Sequence, residues 1–362
     1  MSSTIPRLHQ RYPQLESSLP HLALGISPTP VRRLSRLEDG AQGEIWLKDD
    51  SFYGEGGWGG NKVRKLEWVI PDALRRRRSA LITVGGLGTN FGLATAIYGR
   101  QHGLRTIIAL TDQPVDDHVS AQLERLERSG ARLYRTGTTA RTRAAMPWLR
   151  LRHTHGGRLP YALPVGGSSP VGTLGYVEAG LEIAEQIHAG DLPRPHHIVV
   201  ALGSGGTAAG LLLGLRIAGI ATRVVAVAVN DRLNLDQARV HSLAERSHRL
   251  LCPPGVRPYL SPPSCEVTVT RAYLGPGYGY GTPEAAGAQA RALDAEGLEL
   301  EPVYTAKAMA ALLGMRANGE LGTGPALFLN TYGPRPDRPQ VSERSPIMIA
   351  AGTTTYPHWE DR

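Results

Sequence analysis

Ile198-Val199-Val200-Ala201-Leu202-Gly203-Ser204-Gly205-Gly206-Thr207-Ala208-Ala209-Gly210 is the stretch on which the fold turns. Its first five residues are an apolar run of the length of a buried strand, and its last residues open an apolar helix. The glycines between them turn the chain sharply and leave the first N–H groups of the helix free, a ready receptor for phosphate. On this segment alone a dinucleotide site competes, because Gly203, Gly205 and Ala208 satisfy G-x-G-x-x-A and Asp231 follows near the end of the next strand. No Walker lysine follows, which argues against a nucleotide triphosphatase.

The same alternation continues on both sides. Ala80–Val84, Thr106–Leu110, Arg223–Val229 and Ala326–Asn330 read as further buried parallel strands. Helical patterns run over Lys62–Arg78, Asn90–His102, Val119–Ser129, Thr173–Ala189, Thr207–Gly219, Pro283–Gly297 and Thr305–Gly319, with glycine caps at several C-termini. Strand–helix alternation over this length predicts an α/β protein with open parallel sheets. Two Pro-rich or Gly-rich stretches interrupt it: His153–Gly167, and 252–265, the latter a surface excursion.

Composition narrows the function classes. The 362 residues are 41% hydrophobic and 20% charged, as in ordinary globular chains. No apolar run reaches the roughly 20 residues of a membrane span, and the N-terminus lacks a signal-peptide core, so a cytoplasmic protein is expected. Cys252 and Cys265 are too few for a disulfide framework or a cysteine zinc site, and His155, His196 and His197 lack metal-ligand spacing, so no metal is expected. The net charge of +8 includes the run Arg75-Arg76-Arg77-Arg78, read as the basic end of a helix rather than a nucleic-acid stripe. The surplus suits anionic small molecules. Only four of the 40 basic residues are lysines: Lys48, Lys62, Lys65 and Lys307. Arginine stays charged, whereas lysine can lose its proton and form a Schiff base, so each lysine asks for a reason.

Gly56-Gly57-Trp58-Gly59-Gly60-Asn61-Lys62 delivers a lysine to the first turn of a helix. Taken alone, such a stretch is more often a turn before a surface helix. A third junction, Thr83-Val84-Gly85-Gly86-Leu87-Gly88-Thr89-Asn90-Phe91, repeats the strand–glycine–helix pattern. Two anion-receptive helix starts plus a lysine fit a cofactor phosphate and an amino-acid carboxylate, whereas a dinucleotide needs one such junction. The combination favours pyridoxal 5′-phosphate (PLP).

With these motifs in order, the chain resembles the D-cysteine desulfhydrase and 1-aminocyclopropane-1-carboxylate (ACC) deaminase family. The likeness is carried by GGNKVRKLE, LPVGGSSPVGTLGYVEAGLEIAEQI, GPGYG and EPVYTAKAM and runs from Thr29 to about Gly333. It implies the tryptophan-synthase-β (fold type II) architecture of two α/β domains with PLP in the cleft between them: residues 1–62 plus 172–362 as the large domain and 63–171 as the small one. It also implies roles. Lys62 matches the Schiff-base lysine, Asn90 the asparagine beside the cofactor's 3′ oxygen, and Thr89 a substrate-contacting serine. Gly203, Ser204, Gly205, Gly206 and Thr207 match the phosphate loop, Tyr278 and Tyr304 two active-site tyrosines, Thr305 the residue facing the pyridine nitrogen, and Thr331 a threonine nearby. Ser168 and Phe91 fall on stretches expected to meet the substrate.

Position 305 discriminates within the family. ACC deaminases resemble one another in carrying glutamate there, while D-cysteine desulfhydrases carry threonine, as here. A neutral hydroxyl leaves the ring nitrogen unprotonated more of the time, which suits prompt loss of a β-substituent. Two departures touch specificity: Gly88-Thr89-Asn90-Phe91 replaces a turn that is polar in relatives, and Asn330-Thr331-Tyr332-Gly333 replaces T-G-G. The expectation is α,β-elimination from a small amino acid by a homodimer that binds neither nucleic acid nor membrane. β-Replacement and a non-catalytic PLP-binding sensor are the alternatives. Without the resemblance, Tyr278 and Tyr304 read as core tyrosines, Lys65 and Lys307 as structural or solvent-facing, and Lys48 as paired with the acids beside it.

Overall fold

Apolar β-branched runs bury their side chains on both faces only when neighbours pair alongside and helices cover them. The chain does this twice. Its computed structural model describes residues 5–38, 43–54, 58–252, 265–334 and 347–349. In chain order the described strands are β1 (Val31–Arg33), β2 (Ile45–Asp49), β3 (Gly59–Gly60), β4 (Ala80–Gly86), β5 (Arg105–Thr111), β6 (Arg132–Gly137), β7 (Tyr161–Ala162), β8 (His197–Leu202), β9 (Thr222–Ala228), β10 (Cys265–Thr270), β11 (Ala326–Asn330), β12 (Tyr332–Gly333) and β13 (Ile347–Ile349). The helices are α1 (Arg7–Arg11), α2 (Asn61–Arg75), α3 (Asn90–Gln101), α4 (Asp117–Arg128), α5 (Thr139–Arg152), α6 (Pro170–Ala189), α7 (Gly206–Ala218), α8 (Gln237–Leu251), α9 (Pro283–Glu296) and α10 (Thr305–Ala317).

Two compact units divide the chain: Met1–Arg75 with Gly166–Asp337, and Arg76–Val165 with Arg338–Arg362. The first holds a sheet of order β1-β2-β11-β8-β9-β10, parallel except for β1, and the small pair β12-β3. The second holds the parallel sheet β13-β6-β5-β4-β7. The chain is thus α/β with two parallel sheets, as expected. The unit boundaries differ from those drawn at 62/63 and 171/172: α2 stays with the first unit because it packs on α6. A Cβ at Gly175 would collide with the backbone of Arg64, so the two helices meet at contact distance there. The stretch 253–264, read as a surface excursion, lies outside the described residues.

Beneath α2 runs a buried ion network. Arg64 donates to Asp50 at 2.9 and 3.0 Å and to Glu182 Oε2 at 3.0 Å, while Lys48 Nζ donates to Glu182 Oε1 at 2.6 Å. Tyr176 OH closes it on Asp50 Oδ2 at 2.7 Å. Lys48 was expected to pair with the acids beside it. Instead it reaches Glu182 on α6, because alternation along β2 points it into the core while Asp49 binds Asn330. Burial pushes the Glu182 carboxyl upward, but Arg64 and Lys48 outweigh it and hold it well below the usual carboxylate range.

The arginine run does not end a helix as a whole. α2 stops at Arg75, Pro71 lies inside it, and Arg77 has φ +52°, so Arg76–Arg78 form the turn into β4 rather than the end of a helix. Only Arg75 stands in the last turn of the helix, where it also donates to Asp72 Oδ1 at 2.6 Å.

Removing one partner of a buried pair leaves its counter-charge stranded. Glu182→Gln should therefore lower unfolding stability by roughly 3–5 kcal/mol. Arg223→Ala, which breaks the exposed Arg223–Glu266 pair, should cost under about 1 kcal/mol. Because Glu182 is depressed, its stabilisation is full above the ordinary carboxylate range and fades as pH falls through its lowered value. Urea titrations at several pH values read both effects, and equal small losses for the two variants would show that the network carries no weight.

Candidate active site

The glycine loop starts α7 as the sequence requires. Gly205 is the N-cap, with φ +107° and no side chain to cap the helix. Its neighbour Gly206 donates its N–H to Ser168 Oγ at 2.9 Å. Ser168 and Ser204 hydroxyls lie 2.8 Å apart. A Cβ at Gly206 would stand 2.7 Å from Ser168 Oγ and 3.0 Å from Lys65 Nζ, and Lys65 donates to Gly166 O at 2.9 Å. The turn Gly166–Ser169, which opens α6, thus faces the loop Gly203–Thr207 with a lysine amine beside them. Ser168, expected on a stretch that meets the substrate, is bonded to Ser204 and Gly206 of that loop.

Lys62 stands in the first turn of α2. Gly60 has φ +80°, and a Cβ there would strike Thr331 O, so only glycine admits the β3–β12 pairing that brings residues 331–333 against the start of α2. Asn61 N–H donates to Thr331 O at 3.2 Å, and its Nδ2 donates to Thr207 Oγ1 at 3.2 Å. Asn61 therefore ties the lysine-bearing turn to the anion loop. Burial lowers the Lys62 amine to about 8, with Glu301 partly opposing it. Lys65 lies one turn further along α2; burial and then the Lys62 charge hold it well below the usual lysine value.

On the other side of the loop, a Cβ at Gly203 would sit 2.8 Å from Tyr304 Cε1, so glycine gives the ring its place. Tyr304 OH donates to Tyr278 OH at 2.9 Å. Burial raises both phenols, Tyr304 the more strongly, so both stay protonated at neutral pH. Thr305 begins α10 and is buried; its Oγ1 accepts from Glu301 N–H at 2.7 Å, while Glu301 Oε2 accepts from Tyr304 N–H at 2.6 Å. This reciprocal capping fixes Tyr304 and Thr305 together. Lys307 was read as structural or solvent-facing; it is wholly buried, and its Nζ donates to Leu274 O at 2.7 Å, steadying the GPGYG loop that carries Tyr278.

Thr89, Asn90 and Phe91 belong to the second unit. Thr89 caps α3, accepting from Gly92 N–H at 3.1 Å, and Cβ atoms at Gly85 or Gly92 would collide with it. Asn90 Oδ1 accepts from Gln122 Nε2 at 2.6 Å. Phe91, expected on the substrate turn, is only 2% exposed. Sequence reasoning missed Asn61, Lys65 and Glu301. Lys65 had a signal: it is one of four lysines and falls three residues after Lys62, on the same helix face.

A phosphate fits these residues, because the N-cap glycine of α7 brings no capping side chain of its own, glycines keep the approach clear, and a buried amine stands alongside. A carbonyl compound fits Lys62, whose lowered amine is about half deprotonated near pH 8. Residues 22–331 match the family described as "Pyridoxal-phosphate dependent enzyme", and the chain belongs to that family. Among its relatives, D-cysteine desulfhydrase of Salmonella choleraesuis is 35% identical over 322 residues, covering 87% of this chain and 94% of the relative. A Pyrococcus abyssi protein provisionally named 1-aminocyclopropane-1-carboxylate deaminase is 32% identical over 90% of this chain and 95% of its own. The crystal structure of an ACC deaminase homologue superposes with TM-score 0.75 at 32% identity, covering 91% of this chain and 95% of that one. An O-ureido-L-serine synthase structure, at 17% identity and TM-score 0.59, shares the fold. Fold type II and PLP dependence follow.

Borohydride reduction of the purified holoenzyme should fix the cofactor on Lys62, and peptide mapping should find none on Lys65 or Lys307. Cofactor uptake by the apoprotein needs the free Lys62 amine, so its rate should climb with pH and level off above about 8. A rate still rising at the ordinary lysine value would contradict the lowered amine.

Proposed function

We propose that this protein eliminates a β-substituent from a small β-substituted amino acid, of the D-cysteine type, releasing the protonated leaving group and an enamino acid that water hydrolyses to a keto acid and ammonia. The names of the relatives support the class of reaction. Thr305 carries the choice of elimination over ring opening. Its hydroxyl accepts the Glu301 N–H at 2.7 Å and donates to Glu301 O at 3.3 Å, a long bond whose proton a ring nitrogen can take over. A donor hydroxyl matches an unprotonated ring nitrogen, whereas glutamate would favour a protonated one.

The cofactor, when bound, supplies an electron sink that acidifies the α-carbon of an attached amino acid. The chain supplies the rest. Lys62 provides the amine that holds the cofactor and, as a free amine, a base for the α-proton. Gly203, Ser204, Gly205, Gly206 and Thr207, with Ser168 and Lys65, hold phosphate. Tyr304 spends its proton on Tyr278, so Tyr278 keeps its own to donate to the departing group. In this reading Thr89 and Asn90 hold substrate carboxylate and cofactor, and Thr331 steadies the Lys62 turn. Cys252 and Cys265 are unpaired, which suits a reducing cytoplasm, and we read the assembly as a homodimer.

A panel of β-substituted D- and L-amino acids, assayed for keto acid and ammonia, tests the reading. A new amino acid formed from an added thiol without ammonia would mean β-replacement, and a spectral response with no product would mean a sensor. Thr305→Glu should move the cofactor spectrum toward a protonated ring and slow elimination at least about tenfold. Tyr278→Phe should lower kcat by roughly a hundredfold with little change in KM, as loss of a general acid does. An unchanged kcat would remove Tyr278 from proton transfer.

A further inference from the structure

The arginine run has a use that the PLP site does not absorb. Within the second unit, Arg76, Arg78 and Arg150 line a pocket of about 270 Å³ with Leu159, Pro160, Tyr161 and Ala162, and none of its lining residues is acidic. Its walls are set by the sheet. β7 pairs with β4 at Leu81–Tyr161 and Ile82–Ala162, which places Tyr161 and Ala162 beside the strand that Arg78 leads into. Leu149, fully buried in the core of this unit, anchors α5 and leaves Arg150 on its flank. Arg78 Nη1 donates to Leu159 O at 3.0 Å, stapling the far wall. The Nε atoms of Arg78 and of Arg150 are buried with no hydrogen-bond partner. A guanidinium N–H withdrawn from solvent and left unbonded is costly, and two of them at one pocket call for an acceptor.

We propose that this pocket is an anion site for a phosphate-bearing small molecule. Planar guanidinium groups approaching from separate elements suit a tetrahedral oxyanion, which accepts from several directions at once. The volume exceeds that of a phosphate group, and Leu159, Pro160 and Ala162 give an apolar wall for an organic remainder. Arg75, bound to Asp72, and Arg77 do not line it. The run therefore divides into two pocket arginines and two that lie outside.

Calorimetry on the holoenzyme, at fixed ionic strength in chloride and with the cofactor absorbance monitored, tests the site. Inorganic phosphate and glycerol 3-phosphate are titrated separately, which separates the free ion from an ester, and succinate serves as the dicarboxylate comparison. Saturable binding of either phosphate probe is expected, weakened about tenfold or more, some 1.4 kcal/mol, in Arg150→Gln and in Arg76→Gln. Arg143→Gln, exposed on the same helix α5 outside the pocket, should leave it within about twofold. Arg78→Gln should behave as the pocket variants do; because Arg78 also braces Leu159, Arg76→Gln and Arg150→Gln decide the matter if it fails to fold. Absence of saturable binding, equal weakening by Arg143→Gln, or tighter binding of succinate would overturn the proposal.

Discussion

Arg64 between Asp50 and Glu182 is the constraint on which the catalytic half of the molecule rests. It lies two residues after Lys62 on α2 and is almost wholly buried, so its charge must be matched at short range. The match comes from the end of β2 and from α6, elements far apart in sequence. Satisfying that one guanidinium fixes how α2 lies on the sheet and on α6, and so where its first turn holds Lys62. The network need not add net stability over an apolar core to do this, because stranding any member is what the fold avoids.

Close helix packing carries the same constraint to the anion loop. Gly175 on α6 admits the backbone of Arg64, while Gly180 on α6 and Gly214 on α7 let those two helices approach to within 3.0 Å of a would-be Cβ. α2, α6 and α7 thus form one close-packed stack. Lys62 and Lys65 on α2, Ser168 at the head of α6 and Gly203–Thr207 at the head of α7 sit at the same end of it, joined by Asn61–Thr207, Ser168–Gly206 and Lys65–Gly166. The electrostatics follow from this packing. Two amines one turn apart are both desolvated, the Lys62 charge further disfavours that of Lys65, and Glu301 returns part of the Lys62 charge. The Lys62 amine is thereby lowered to about 8, while burial keeps the Tyr278 and Tyr304 phenols protonated.

The two glycine junctions differ in design. In the first unit the loop leaves the helix start without a capping side chain, and a serine from another turn takes one of its N–H groups. In the second unit Thr89 caps its own helix, held between two glycines that leave no room for a larger residue. The former offers its N–H groups outward, and the latter offers a hydroxyl proton.

Much of this was legible in the sequence. Strand–glycine–helix junctions at Leu202–Thr207 and Val84–Asn90, and a lysine opening a helix in an arginine-rich chain, specify parallel α/β units and an anion loop by local rules of period, turn and cap. Tertiary structure alone decided what depends on distant partners. That Lys48 answers Glu182 rather than its neighbouring acids, that Lys65 and Lys307 are buried, and that Arg76 and Arg78 leave the helix to meet Arg150 cannot be read from spacing along the chain. Period and propensity describe a residue's neighbours in sequence. A buried charge is governed by whatever counter-charge the packing of remote elements brings within about 3 Å of it.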